Sequence, residues 1–172
     1  SARRDPAESK LDFIASKDRW FRPVMVRTGP DGALWVVDMY RYMIEHPQWL
    51  PKNGQDELRP YFRHGQQHGR IYRVFPGEAG PRKWPRLQGS APEELVSYLE
   101  HPNGWVRDTA QQLLVEARGG KALEGLRRLA RSSKVALGRL HALCTLEGLG
   151  QLDVPTLETA LEDPQPGVRR QA

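Results

Sequence analysis

The sequence is almost without sulfur chemistry. A single cysteine, Cys144, excludes an internal disulfide, a cysteine-rich zinc centre and the Cys-x-x-Cys-His attachment of a c-type haem. Set among Leu140, Leu143 and Leu146, it reads as a small buried hydrophobe. No apolar run approaches the roughly 18 residues that a membrane helix needs, and no signal peptide opens the chain. Ser1-Ala2-Arg3-Arg4 reads as the interior of a longer protein and Ala172 falls inside a helical pattern, so further chain is expected at both ends. A basic helical face is also missing. The net charge is +5, yet residues 93–172 carry 10 basic and 11 acidic side chains against 13 and 9 in residues 1–76. A helical stack that binds nucleic acid is basic on its helices, so nucleic acid is not expected as a partner.

Aromatic residues run out after Trp84, beyond which only Tyr98 and Trp105 follow, while 15 of the 20 leucines lie from Leu95 onward. That shift predicts sheet and then helix. The break falls in residues 77–92, a Pro/Gly linker. Before it, four strands are expected: 11–15, 23–28, 33–38 and 69–75. Gly29-Pro30-Asp31-Gly32 supplies a tight turn between the second and third. Four short strands in series predict one blade of a β-propeller, over residues 1–76, which needs neighbouring blades to cover it. A long irregular insertion, 39–68, separates the last two strands. Its length and its Tyr, Arg, Glu, His and Trp content mark it as a functional or interaction surface.

The candidate ligand-binding residues cluster around this insertion. Asp38 ends a strand and is followed by Tyr40 and Arg41; the three form either a polar site for substrate, Ca2+ or cofactor, or a strand-end carboxylate bonding turn amides or Arg41. Arg22, before Pro23, is either a carboxylate clamp or half of an ion pair. Glu45 and His46 are either a general base with its partner or a structural hydrogen-bonded pair. His64 and His68 have metal-compatible spacing only on a helix, which Gly65 and Gly69 argue against, so no metal site is expected. The catalytic residues are not readable, and no complete active site is present.

Trp20-Phe21-Arg22-Pro23, the run from Gly29 to Arg41, Ile44-Glu45-His46-Pro47 and Gly69 to Val74 resemble the end of the propeller in the membrane-bound dehydrogenase family of planctomycetes and verrucomicrobia. That propeller is similar to those of quinoprotein sugar dehydrogenases. The resemblance implies an exported, periplasmic or secreted protein acting on a sugar or alcohol. It also implies pyrroloquinoline quinone and Ca2+ as cofactors, with haem c in a further domain outside this chain. The rival expectation is a non-catalytic propeller-plus-solenoid scaffold, or a carbohydrate- or protein-binding module.

Beyond the linker the sequence repeats. Val106-Arg107-x-x-Ala110-x-x-x-Leu114 recurs as Gly138-Arg139-x-x-Ala142-x-x-x-Leu146 and as Val168-Arg169-x-x-Ala172. This predicts a HEAT-like solenoid of helix pairs over residues 93–172, offering a surface to a protein partner. Ser90 and Asp153 are expected as helix caps, and Arg107, Arg139 and Arg169 as structural. The expected inward faces are Leu95, Val96 and Leu99; Val106, Ala110, Leu113, Leu114 and Ala117; Ala122, Leu126 and Leu129; Leu140, Leu143 and Cys144; and Val154, Leu157 and Leu161.

Overall fold

The computed structural model describes residues 4–78, 80 and 82–172. The chain divides into two compact units: unit 1 is Ser1–Arg27 with Leu34–Val74, and unit 2 is Thr28–Ala33 with Phe75–Ala172.

Unit 1 is built on β1 (Pro23–Thr28), β2 (Leu34–Asp38) and β3 (Arg70–Val74), in the order β1-β2-β3. The run Trp35-Val36-Val37 has the β-branched and aromatic character of a strand that pairs on both sides. β2 pairs antiparallel with β3, Leu34 opposite Val74 through to Asp38 opposite Arg70. Val36 and Asp38 point into the structure at 1% exposure each, whereas every residue of β1 is exposed. Between β2 and β3 the chain makes a 3-10 turn at Pro47–Trp49, the short helix α1 (Lys52–Leu58) and a second 3-10 turn at Arg59–Tyr61. Helix α1 buries none of its residues. Its entry is tied by the Gln55 side-chain amide donating to the Leu50 carbonyl at 2.8 Å.

The expected propeller blade followed by a helical solenoid is therefore corrected. Among the described residues the sheet has three strands, not four, and the insertion expected to be irregular carries a short helix and two 3-10 turns. Residues 11–15 form no strand; Leu11 and Phe13 are 71% and 76% exposed. Five alternating residues are too few to fix a strand without a free edge to pair with. Instead Ile14, Ala15 and Ser16 share the lining of a hollow with Phe21, Val36, Tyr72 and Val74 of the sheet. The segment lies across a face of the sheet where a blade would carry it along the edge.

Unit 2 contains α2 (Pro92–Tyr98), α3 (Gly104–Glu116), α4 (Leu123–Ser132), α5 (Ala136–Gly148), α6 (Val154–Leu161) and α7 (Pro166–Gln171). Helices α2, α4 and α6 form one row and α3, α5 and α7 a second, each helix packed on its partner across the rows and on its neighbours within one. Leu99, Val106, Ala110, Leu114, Leu126, Ala142 and Leu146 are all at 0% exposure in the shared core. Leu87, from the Pro/Gly-rich stretch before α2, joins them. Asp153 caps α6, accepting from the Thr156 amide at 2.8 Å. Ser90 does not cap α2: the N-cap is Ala91, and the Ser90 hydroxyl donates back to the Arg86 carbonyl. On α6 the buried residues are Thr156 and Ala160, while Val154 and Leu161 are exposed. The expected stripe was one step off: the face packed on α4 carries the small Ala160 and Thr156, whose hydroxyl accepts from Arg131 at 2.8 Å. Cys144 is half-buried, and burial pushes its thiol pKa up.

The three repeated arginines do the same job. Arg107 donates to the carbonyls of His101 and Pro102 at 2.7 and 3.0 Å. Arg139 donates to the Ser133 carbonyl at 2.7 Å, and Arg169 to those of Asp163 and Pro164 at 2.6 and 3.1 Å. Each reaches back six residues to the loop that begins its own helix. In each loop the residue at that point also bonds the amide two residues on: His101 to Asn103, Ser133 to Val135, Asp163 to Gln165. Arg139 adds a bidentate pair with Asp163 at 2.5 and 2.7 Å, both side chains nearly buried. The Asp163 carboxyl is held below its ordinary pKa, chiefly by that guanidinium.

Candidate functional site

Unit 1 gathers the six sequence-predicted residues in two groups. The first surrounds the exit of β2. Asp38 Oδ1 accepts from the backbone amides of Arg22 at 2.8 Å and Tyr40 at 2.9 Å. Arg22 and Asp38 thus meet through backbone, while the Arg22 guanidinium turns to the carbonyls of Arg19 and Phe21. Asp38 Oδ2 is buried and has no hydrogen-bond partner among the described residues. Its charge is felt by Arg70, whose pKa is raised first by Tyr72 and, among lesser causes, by Asp38. The Arg70 guanidinium stands 3.9 Å from the centroid of the Tyr40 ring, a cation–π contact. Tyr40 itself has φ +49°, a conformation rare for an aromatic residue. Its hydroxyl donates to Asp18 Oδ2 at 2.9 Å, which raises the Tyr40 pKa. The Asp18 carboxyl is lowered, first by the Trp20 amide and then by Tyr40.

This first group does not make a Ca2+ site. Asp38 spends Oδ1 on two amides, and among the described residues no three His, Cys, Asp or Glu side chains converge. His64 and His68 lie on a turn and an irregular segment, not on a helix.

The second group lines a cleft. Leaving Tyr40 with positive φ, the chain runs beside the turn that leads back to β3. The Tyr42 amide donates to the His64 carbonyl at 3.3 Å, and the Arg41 guanidinium to the Arg63 carbonyl at 3.4 Å. Gly65, with φ +89°, permits the approach: a Cβ there would lie 2.3 Å from the Tyr40 carbonyl oxygen. Trp20, Tyr42, Tyr61 and His64 close a ring of four aromatic contacts with centroids 5.2–6.2 Å apart. The two walls so joined are Met39–Pro47 and Phe62–Gln66, and they enclose an open hollow of about 410 Å³.

Arg41, Glu45 and His46 line this hollow together with Arg63 and Gln66. Met39, Met43, Ile44, Pro47 and Phe62 supply its apolar surface. His46 Nδ1 accepts from the Gln48 amide at 3.3 Å, so the neutral ring carries its proton on Nε2 and offers a donor there. Glu45 Oε2 accepts weakly from the Ile44 amide at 3.3 Å and keeps acceptor capacity. Among the described residues neither Arg41 nor Arg63 has an acidic partner. The arrangement provides two guanidinium forks, an imidazole donor, an amide and one carboxylate over an apolar floor. A few polar groups converging on an apolar hollow is the usual form of a small-ligand site.

Arg63, Gln66 and Phe62 were not singled out from the sequence. The signal was present in Gly65: a glycine required for close backbone approach folds its neighbours onto the opposite wall.

Among the described residues no helix is long and apolar enough to cross a membrane. No curated protein and no solved structure matches the chain. Residues 1–78, the stretch that holds all three strands and the cleft, match the sequence family described as "Domain of unknown function (DUF7133)".

Proposed function

We propose that this chain carries a binding module for a small polar ligand of the sugar class, seated in the cleft between Met39–Pro47 and Phe62–Gln66. The observation that carries this reading is the convergence of Arg41, Glu45, His46, Arg63 and Gln66 on one open hollow large enough for a sugar ring. Sugars present alternating apolar C–H faces and hydroxyl edges. The apolar lining meets the first, and the donors with the Glu45 acceptor meet the second. The cleft's one acid, Glu45, has no nucleophilic side chain beside it among the residues of the lining. Binding, not turnover, is what these residues support.

The test is titration of the 172-residue chain with a panel of neutral and acidic monosaccharides, followed by amide chemical shifts. The expected result is saturable binding at millimolar to micromolar concentration, with shifts centred on residues 41–47 and 62–66. No saturable shift with any sugar of the panel overturns the reading. Dye reduction on the same panel with added pyrroloquinoline quinone separates the two functional classes, since turnover there makes the chain part of an enzyme.

A further inference from the structure

We infer that the ligand of this cleft is an acidic monosaccharide, a sugar carrying one carboxylate or phosphate, and that Arg41 and Arg63 read the anionic group. The inference rests on the cleft being a ligand site and adds which ligand it takes. The argument begins with charge. The cleft holds two guanidinium groups and one carboxylate, which leaves one positive charge uncompensated. Several arginines elsewhere in the chain are occupied, by carboxylates, an aromatic ring or carbonyls. Arg139 is paired with Asp163, Arg127 with Glu124 and Asp153, and Arg131 with Asp153. Arg70 lies over Tyr40, and Arg22 is folded onto carbonyls. Arg41 and Arg63 differ: they share a long bond from the Arg41 guanidinium to the Arg63 carbonyl at 3.4 Å, and neither has an acid beside it among the described residues.

That contact draws the Arg41 head toward the Phe62–Gln66 wall, the wall from which Arg63 comes. A planar fork presents paired N–H donors that match two oxygens of a carboxylate or phosphate, a geometry that a hydroxyl cannot use fully. A neutral sugar would leave one positive charge of the hollow without a counter-charge. The single acid, Glu45, is placed on the other wall with acceptor capacity to spare. There it suits a hydroxyl of the same ring and repels a second anionic group. One ring with one anionic substituent therefore satisfies the donor and acceptor set, and Glu45 disfavours a second anionic group.

The experiment titrates the 172-residue chain with three probes: galacturonate, glucose 6-phosphate and galactose. Each is repeated with Arg63→Gln and with Arg41→Gln. Both side chains contribute only long or solvent-facing contacts, so folding is preserved, and a thermal melt checks it. Galacturonate or the phosphate ester is expected to bind at least about tenfold more tightly than galactose. Each substitution should remove about 10- to 30-fold of the affinity for the acidic probe and weaken galactose, which loses only a hydroxyl contact, by no more than about threefold. Affinity for the acidic probe should fall with added salt. The better of the two acidic probes identifies the anion as carboxylate or phosphate. Equal affinity for all three sugars, or substitutions that weaken acidic and neutral probes alike, overturns the inference while leaving the binding site standing. Binding of none of the three removes the site and the inference together.

Discussion

Unit 2 is built around a buried core of leucine, valine and alanine, and unit 1 leaves several of its largest apolar side chains exposed. In unit 2 the seven-residue heart of the core has no measurable exposure. In unit 1 the fully buried side chains are Val36 and Asp38, while Phe13, Trp49, Ile71 and Val24 stand 58–84% exposed. The two units are held by different physics. Aliphatic burial, at about 25 cal/mol per Å² removed from water, organises the helices. Unit 1 is organised by strand pairing, by the Asp38 carboxylate on two amides and by a ring of aromatic contacts. A unit stabilised in this way can leave polar and aromatic groups open to a ligand, which a close-packed aliphatic core cannot.

The comparison breaks hardest at the cores. Leu126→Ala, at 0% exposure, should cost unit 2 about 2–5 kcal/mol in chemical denaturation. A cost under about 1 kcal/mol would mean that the helices are not held by this core. Arg139→Met should cost about 3–5 kcal/mol, because it leaves Asp163 buried and unpaired. Arg139→Met with Asp163→Leu should recover most of that loss, and the recovery distinguishes a stranded charge from a lost packing contact.

For unit 1 the corresponding weak point is a backbone contact. Gly65→Ala adds a left-handed conformation, worth about 1–3 kcal/mol, to a clash with the Tyr40 carbonyl that only main-chain movement relieves. Gly150→Ala in unit 2 is the control: φ is +64° there, but nothing lies within 4 Å of the new methyl group. Gly65→Ala should therefore destabilise more than Gly150→Ala and abolish sugar binding as the cleft walls separate. Equal melting shifts for the two would show that the close approach carries no energetic weight.

Acid sharpens the comparison further. Asp153 is lowered from its ordinary 3.8 to about 2, first by the Thr156 side chain and amide, with Arg131 a lesser cause. Asp163 is lowered by Arg139. A carboxylate whose folded pKa is depressed stabilises above its unfolded pKa, and that stability is lost as pH falls through the folded value. His141 is lowered by burial and, secondarily, by Arg107, so protonating it also opposes folding as pH drops below about 6.5. The helical signal in circular dichroism should weaken in two stages, a shallow one below about pH 6.5 and a steeper one between about pH 4 and 2. A helical signal that is flat from about pH 7 to 2 would refute the role given to these groups.

How far the sequence foretold this depends on the length of the pattern. In unit 2 the recurrence of Arg-x-x-Ala placed Ala110, Leu114, Ala142 and Leu146 correctly, because many turns of helix average out local exceptions. Periodicity misplaced the α6 stripe, where the buried face carries Thr156, held by Arg131, and Ala160. In unit 1 the strands around Gly29-Pro30-Asp31-Gly32 were legible from turn chemistry. The five-residue alternation at Leu11–Ala15 was not decisive, since only a free sheet edge makes such a run a strand. Arg41, Glu45 and His46 were legible as a polar cluster. Arg63 and Gln66 were not, because their place in the cleft depends on the positive φ of Gly65, and a sequence names the glycine without saying which wall it folds against.

The smallest effect belongs to the most exposed aromatic. Trp49 is 84% exposed, its ring 6.4 Å from that of His46. In unit 2 a large apolar side chain is a pillar; in unit 1 this one is mostly in water. Trp49→Ala should change the unfolding free energy by no more than about 0.5 kcal/mol, the usual range for a surface substitution. The residual contact with His46 gives it one measurable consequence. The indole face limits how the imidazole can turn, and the ring is already tied through Nδ1 to the Gln48 amide at 3.3 Å. Loss of the indole should loosen that bond and weaken sugar binding by about two- to threefold, through His46 alone. Trp49→Ala combined with His46→Ala should then weaken binding no more than His46→Ala does. A stability loss above about 2 kcal/mol from Trp49→Ala would place this tryptophan in a core, and unit 1 would no longer differ from unit 2 in how it uses its large side chains.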